Sequence, residues 1–189
     1  MRKIVTKSES DKKKNFNKFL VGGILIAVML FSTLGYAFQG GDEEESDKIN
    51  YNGFDFVNSN GLWYTEKGNY QFVFQHSPEE VEKIGSEVNF LDKYSNQPVY
   101  VSSKNDLVTL EIFRNLNQIA QRIQMACLDE KNCEGDAPVK NCSDLFIVVE
   151  ENSIPEIKQE ENCVFIKGPE ENLSKIADEF LFKTIGIEQ

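Results

Sequence analysis

The chain has 189 residues and a formal net charge of −11, and 40% of its residues are hydrophobic. That length suits one compact domain with additional segments. The acidic balance disfavours nucleic acid and anionic lipid as partners.

Charge is divided unevenly along the chain. Residues 1–18 hold seven basic and two acidic side chains, residues 19–38 hold no charge, and residues 39–189 hold 13 basic and 29 acidic side chains. As a helix, the uncharged segment FLVGGILIAVMLFSTLGYAF is long enough to cross a hydrocarbon core of roughly 30 Å. Lys and Arg accumulate on the cytoplasmic side of such spans. We therefore expect a cytoplasmic basic tail (1–18), a transmembrane signal-anchor helix (19–38) in the cell membrane, and an extracytoplasmic remainder.

The N-terminal segment has two alternative interpretations. A cleaved signal peptide has the same basic and apolar parts, and the small residues Gly35 and Ala37 suit a peptidase, although the apolar stretch is longer than usual. A pilin-type leader would be cut before the apolar segment, but the Lys18–Phe19 junction lacks the small residue and the following acid that we would expect. Both the retained anchor and the signal peptide export residues 39–189.

The exported part begins with residues 39–49, QGGDEEESDKI, which we interpret as a solvated acidic linker. Residues 50–189 are ample for a single hydrophobic core. The first third of residues 50–189 predicts an antiparallel β-meander. The segments YNGFDFV, LWYTE and YQFVFQ alternate in polarity and are separated by the turn signals NSNG and KGN. The aromatic density could indicate a carbohydrate-binding face, but core packing is the simpler explanation.

The middle of this domain carries helix and strand signals. HSPEEVEKIG predicts a short helix with Ser77 as N-cap, Pro78 in the first turn and Glu80 completing a capping box. EVNFL predicts a brief strand, and the short apolar run QPVYVSS predicts another with a clearer signal. The segment NDLVTLEIFRNLNQIAQRIQMAC then predicts one long amphipathic helix that ends near Cys127.

The rest of the chain predicts two further strands and a closing helix. DLFIVVE is a continuous apolar run typical of a central strand, and a strand–helix–strand order suggests a right-handed parallel crossover. After a connection, CVFIKG is a strand and PEENLSKIADEFLFKTIGI a helix. The predicted fold class is therefore α+β, with an N-terminal antiparallel β-meander followed by βαβ and βα elements, which form a mixed sheet with helices on one face.

Four cysteines stand at Cys127, Cys133, Cys142 and Cys163. None of their gaps has the two to four residues that zinc knuckles use, no C-x-x-C redox pair occurs, and the single histidine, His76, is distant in sequence. Export favours disulfides, and four cysteines allow three pairings. We predict Cys127–Cys133 as a local staple. We also predict Cys142–Cys163, because each of these two cysteines stands just before an apolar strand and parallel neighbouring strands begin together.

Other site signals are weaker. The loop acids Asp129, Glu130, Glu134 and Asp136 could gather calcium, but they lack EF-hand spacing, and a solvated loop is the simpler interpretation. The sequons Asn141-Cys142-Ser143 and Asn172-Leu173-Ser174 make Asn141 and Asn172 candidate glycosylation sites. The sequence predicts no metal ligand, no cofactor and no catalytic residue.

One resemblance covers much of the chain. The basic and then apolar start, the stretch YNGFDFVNSNGLWYTEKGNYQFVF and the ending CVFIKGPEENLSKIADEFLFKTIGI resemble uncharacterised archaeal-type single-pass membrane proteins with an exported cysteine-containing domain. This resemblance implies an anchored, exported domain and implies no activity.

The sequence therefore predicts a membrane-anchored extracytoplasmic domain that binds an envelope protein or a surface ligand, or that has a structural role in the cell envelope. The alternative is an anchored envelope hydrolase that uses His76 or a pair of carboxylates. A deep pocket in which His76 and two acids converge would favour the hydrolase, and a flat or apolar patch with His76 at its rim would favour binding.

Overall fold

A computed structural model describes most of the exported part and a short N-terminal stretch: residues 20–31, 47–128, 133 and 136–187. The chain divides into two compact units, Met1–Glu45 and Ser46–Gln189. They are described separately below.

The described part of the first unit is one helix, α1, over residues 20–31. Residue 19 and residues 32–38 of the predicted span lie outside the described residues, as do the basic tail 1–18 and most of the linker. Within the described ranges, no helix has the length and apolar character needed to cross a membrane.

The second unit opens with the predicted antiparallel meander, but it has four strands in sequential order where three were predicted. The segment YNGFDFV is not one strand, because a turn at Asn52 and Gly53 divides it between the first two strands. The hairpin between the second and third strands turns at Asn60 and Gly61, whose φ angles are 54° and 76°. Asn and Gly tolerate this left-handed conformation, so the turn signal was correct. The first strand begins at Lys48, inside the segment predicted as linker. The strands are β1 (Lys48–Tyr51), β2 (Phe54–Ser59), β3 (Leu62–Lys67) and β4 (Tyr70–Phe74).

The second half forms a mixed sheet with the strand order β6-β5-β7-β9-β8. All neighbours are parallel except β8 and β9, which form an antiparallel hairpin. A single 3-10 turn, Glu170–Asn172, precedes the last helix. The elements are α2 (Leu91–Tyr94), β5 (Pro98–Ser102), α3 (Asp106–Leu116), β6 (Arg122–Met125), β7 (Leu145–Glu151), β8 (Glu156–Glu160), β9 (Cys163–Gly168) and α4 (Leu173–Thr184).

Helices α3 and α4 lie between the two sheets. The α4 residue Phe182 packs its ring against Phe56 and Phe74 of the meander, at centroid distances of 5.9 and 4.5 Å. The same continuous core includes alternate residues of β7, such as Ile147 and Val149. The α+β class is therefore confirmed, and both long helices cover one face of the mixed sheet, as predicted.

The opposite face of the mixed sheet has a smaller core. Tyr100, Phe146, Val148 and Cys163 are buried there, and Leu128 and Cys142 pack against them. The residues that cover this face come from the cysteine-containing connection between β6 and β7. The described residues of this connection therefore act as a lid on the face of the mixed sheet opposite α3 and α4.

The predicted long helix is wrong in its second half. Helix α3 ends at Leu116, and Arg122–Met125 is strand β6, parallel to β5. The start is correct, because Asn105 caps the helix by accepting from the Val108 amide at 3.1 Å. Strand β6 lies on one side of β5, and β7 lies on the other. The crossover through α3, which was predicted to lead from β5 to β7, therefore leads from β5 to β6. Although the apolar residues of this segment have helical spacing, backbone hydrogen bonds to β5 stabilise residues 122–125 as a strand.

Three shorter predictions also differ from the structure. No helix follows Ser77; its amide donates to the Glu80 carboxylate at 2.7 Å, so the capping bonds close a single turn. The predicted strand over residues 87–91 is irregular up to the start of α2 at Leu91. The predicted connection before β9 contains β8, which pairs with β9 through a hairpin.

Candidate functional site

The free edge of β4 is paired with side chains of α3. The Asn115 amide accepts from the Val73 N–H and donates to the Val73 carbonyl, each at 2.8 Å. The Gln75 N–H donates to a Glu111 carboxyl oxygen at 2.8 Å, and Gln118 donates to a β4 carbonyl at 2.7 Å. Polar side chains on α3 and in the turn after it thus take the place of a fifth strand, which explains why Glu111 and Asn115 are buried in the core.

A polar cluster continues from this edge into α4. His76, the residue after Gln75, donates its backbone N–H to the Asp178 carboxylate at 3.0 Å and places Nδ1 at 2.8 Å from the same oxygen. The Glu111 and Asp178 carboxyls bind the N–H groups of the consecutive residues Gln75 and His76, and each acid affects the pKa of the other. The cluster therefore joins the end of β4 to both helices.

Burial controls the protonation of these two acids. Glu111 and Asp178 are 1% and 0% exposed. Loss of hydration raises the pKa of Asp178 to about 7, and hydrogen bonds from its neighbours only partly oppose this. Burial and the neighbouring Asp178 raise the pKa of Glu111 to about 8. At neutral pH the pair therefore carries less than two negative charges.

The imidazole of His76 is the accessible member of the cluster, with 22% of its side chain exposed. Burial, followed by the nearby positive charge of Lys175, lowers its pKa. A neutral ring with its proton on Nδ1 satisfies the contact with Asp178, because the carboxylate can only accept. His76 therefore serves as a neutral donor to the buried acids.

His76 contacts one acid, Asp178, and a second acid, Glu111, acts on it through its charge, so the histidine lies near two acids as the hydrolase alternative requires. Sequence reasoning did not identify Glu111 or Asp178 as the partners, because both lie within apolar helical patterns. The spacing of Glu111, Asn115 and Gln118 along one helical face was the available signal. Both carboxyl groups are enclosed, and their bonds go to backbone groups of Gln75 and His76. This arrangement stabilises the fold and leaves only the imidazole within reach of solvent.

A separate cleft lies at the carboxyl ends of the parallel strands. Its volume is about 650 Å³. The loop from β5 to α3, the ends of β6 and β7, and the first residue of α4 all contribute to its wall. The lining includes hydroxyl, charged and apolar side chains: Ser102, Ser103, Lys104, Asn105, Met125, Ala126, Cys127, Ala137, Val149, Glu150, Glu151 and Leu173. We call this the strand-end cleft.

The connectivity of the sheet explains where the strand-end cleft forms. The connection from β5 leads through α3 to β6 on one side, whereas β7 lies on the other side and leads on to β9. Open sheets bind ligands in the crevice outside the carboxyl ends of strands at such a change of direction. The topology therefore makes this cleft the candidate ligand site of the domain.

All four cysteines are paired in the structure, in the two pairs that the sequence predicted. Cys127 is bonded to Cys133, with a Cα–Cα distance of 5.3 Å, and Cys142 to Cys163, at 4.9 Å. Cys163 begins β9, which is parallel to β7, so the reasoning from strand starts holds. Cys127 also lines the strand-end cleft, so the first disulfide lies beside the candidate site.

Two cations converge on the lidded face of the sheet. Arg122 donates to the Tyr100 hydroxyl at 2.9 Å, and the Lys140 ammonium lies 4.5 Å from the centre of the Tyr100 ring. Hydrogen bonds from Lys140 and then Arg122 lower the pKa of the Tyr100 phenol. Lys140 also lies 3.7 Å from the Asp144 carboxylate. These contacts hold the cysteine-containing connection against the sheet.

The two candidate glycan acceptors differ in their surroundings. Asn141 is exposed in a turn, and its side-chain oxygen accepts from both the N–H and the hydroxyl of Ser143, at 2.9 and 2.6 Å. Asn172 is half-buried at the start of α4. The turn at Asn141 is the more accessible of the two sequons.

Three of the four residues considered for calcium, Asp129, Glu130 and Glu134, lie outside the described residues. In the ranges that the structure describes, no group of three or more His, Cys, Asp and Glu side chains could hold a metal ion. Comparison of the chain with protein-family models, curated proteins and solved structures finds no match.

Proposed function

We propose that the chain is a membrane-anchored binding domain, exposed outside the cytoplasm, that takes an envelope protein or a surface ligand into the strand-end cleft. The observation that carries this proposal is the cleft itself. Three strand ends and the starts of two helices enclose about 650 Å³ at the position where open sheets of this connectivity bind ligands.

Two features of the chain support the location. The basic tail 1–18 and the uncharged residues 19–38 have the pattern of an anchor whose N-terminus stays in the cytoplasm. The pairing of all four cysteines suits an oxidising compartment. An anchored domain has a raised effective concentration for partners at the same membrane.

The composition of the cleft supports binding. Ser102, Ser103 and Lys104 offer polar groups on one wall, while Met125 and Val149 offer apolar surface. A ligand that has both apolar and polar groups would match this lining. A peptide segment of an envelope protein and a small amphipathic surface molecule both meet that description.

The location is tested with epitope tags at both ends of the full chain in intact cells. Added protease should remove the C-terminal tag and spare the N-terminal tag, and the protein should sediment with membranes. A protected C-terminal tag in intact cells, with cleavage after lysis, would contradict the proposed topology.

The binding site is tested with a photo-crosslinking amino acid placed at Met125 in the cleft or at Phe90 outside it. Both side chains are partly exposed, at 37% and 52%, so both positions accept the probe. Irradiation of intact cells should give a discrete adduct from position 125 and none from position 90. Identical adducts from both positions, or none from position 125, would contradict a binding role for the cleft.

The alternative is an envelope hydrolase in which His76 acts as general base. The contact of Asp178 with Nδ1 favours it, because a buried carboxylate in that position orients a catalytic imidazole. Hydrolysis of a panel of nitrophenyl esters by the wild-type chain, lost in H76N, would favour this alternative. Binding in the cleft predicts unchanged crosslinking at position 125 in the same variant.

A further inference from the structure

The proposed function gives no role to two buried acids, Glu111 and Asp178, which bind the N–H groups of consecutive residues. One carboxyl comes from α3, the other from α4, and both also bind the backbone at the end of β4. Two ionised carboxylates cannot share a site of this kind, because their repulsion adds to the cost of losing water. Something must neutralise one of them.

The neighbouring charges do not supply a full counterion. His76 contacts Asp178 but is held in its neutral form by burial and by Lys175 on α4. Arg114 on α3 acts on Asp178 only as a more distant charge. Glu80, in the turn after β4, adds a negative charge near His76. When both acids are ionised, the charged groups on α3, on α4 and in the turn after β4 therefore leave one negative charge without a counterion.

A proton resolves this conflict. Within the described part of the chain, Asp178 Oδ1 is buried without a hydrogen-bond donor. A protonated Glu111 carboxyl gains an O–H donor, which can bind the neighbouring Asp178 carboxylate. The other Glu111 contacts, from the Gln75 N–H and side-chain amide, remain compatible with this state because a carboxylic acid keeps its acceptor capacity.

We propose that Glu111 and Asp178 share one proton, and that this proton is a pH-sensitive latch which holds the end of β4 against α3 and α4. When the pH rises, the proton passes to solvent base and two carboxylates face each other. The resulting repulsion opposes the packing of the two helices and weakens their hold on Gln75 and His76.

The direction of the pH effect follows from burial, which raises the pKa values of both acids, so that the pair loses its shared proton at about pH 7 to 8. In the unfolded chain both groups ionise near pH 4. The folded state therefore binds more protons between these limits. The contribution of the pair to stability is complete below about pH 4 and is lost as the pH rises through 7 to 8.

The test is urea unfolding of the full chain in detergent micelles from pH 5.5 to 9, followed by the fluorescence of the single tryptophan, Trp63. The midpoint of the wild-type chain should fall as the pH rises. In E111Q, which mimics the protonated acid, the midpoint should change much less with pH. The matched control E66Q alters an exposed glutamate on β3 and should keep the wild-type slope.

Two results would overturn the latch: a wild-type midpoint that is independent of pH over this range, or an E111Q midpoint that falls as steeply as the wild-type one. Carbon-13 NMR of the wild-type side-chain carboxyls gives a second readout that needs no folded variant. Two carboxyl resonances should titrate near pH 7 to 8, apart from the others. If every carboxyl titrates below pH 6, no proton is shared.

Discussion

Asn115 binds both the N–H and the C=O of Val73, so that one side-chain amide on α3 pairs with an edge strand as a neighbouring strand would. The same amide also donates to the Glu111 carbonyl of its own helix, at 3.0 Å. The side chain is fully buried. The meander is therefore joined to the helical layer by directed hydrogen bonds as well as by the aromatic core.

We expect N115A to lower the free energy of unfolding by about 2 to 3 kcal/mol, because it leaves the two Val73 backbone groups without a partner. Chemical denaturation measures this value. L110A is the matched control: Leu110 lies on the same helix but is 54% exposed, so its loss should change stability by less than about 0.5 kcal/mol. Equal effects of the two substitutions would contradict the assigned role of Asn115.

This relationship also explains where sequence reasoning failed on α3. In the segment predicted as one long amphipathic helix, Leu107 and Leu110 recur at the helical spacing of its apolar residues, yet both are exposed. The buried face of α3 carries Glu111 and Asn115 beside its apolar residues. The periodicity of apolar residues identifies a helix face that packs against other apolar side chains. It does not find a face that is buried against the open backbone of a strand.

Other elements were predictable because local signals and tertiary packing agree. The predicted turn signals NSNG and KGN both lie at turns of the meander, and β7 is a continuous apolar run that is buried in the middle of the sheet. Strand β6 was not predictable in this way, since Arg122–Met125 is mostly exposed and forms a strand only because β5 offers a parallel edge. The strand-end cleft depends on that strand, so the sequence could not locate it.

His76 is the only histidine in the chain, which makes its protonation directly observable by proton NMR. We expect its titration midpoint to lie below 6.5, because burial and Lys175 both disfavour the imidazolium. K175Q should raise the midpoint towards 6.5. Since the folded-state pKa is lowered, this group contributes stability above pH 6.5 that is lost as the pH falls through the folded-state value.

The control for this titration is K158Q. Lys158 is exposed on β8 and pairs with Glu160, and it is not among the charges that act on His76. Its substitution should leave the histidine midpoint unchanged. A midpoint above 6.5 in the wild-type chain would show that the imidazole is charged by Asp178, contrary to the neutral donor described above.

The two disulfides should differ in their effects on stability. Peptide mapping without reduction should recover Cys127–Cys133 and Cys142–Cys163. In the chain-entropy description, the loop of the second pair contributes about 3 kcal/mol and that of the first about 2 kcal/mol. Double serine variants of each pair, compared by chemical denaturation, measure the difference.

The C142S/C163S variant should lose additional stability because Cys163 is buried at the start of β9, beneath the cysteine-containing lid. Any peptide that joins Cys127 or Cys133 to Cys142 or Cys163 would contradict the pairing. A larger loss from C127S/C133S than from C142S/C163S would contradict the ranking of the two loops.

The last prediction concerns the two sequons. When the full chain is made in a host that glycosylates exported proteins, we expect a glycan at Asn141 in preference to Asn172. Asn141 is exposed in a turn that brings the Ser143 hydroxyl to its amide oxygen, whereas Asn172 is half-buried at the start of α4. A gel shift that N141Q and S143A each remove, and that N172Q leaves in place, is the expected result. A shift that depends on Asn172 alone would show that accessibility in the folded domain does not decide which sequon is used.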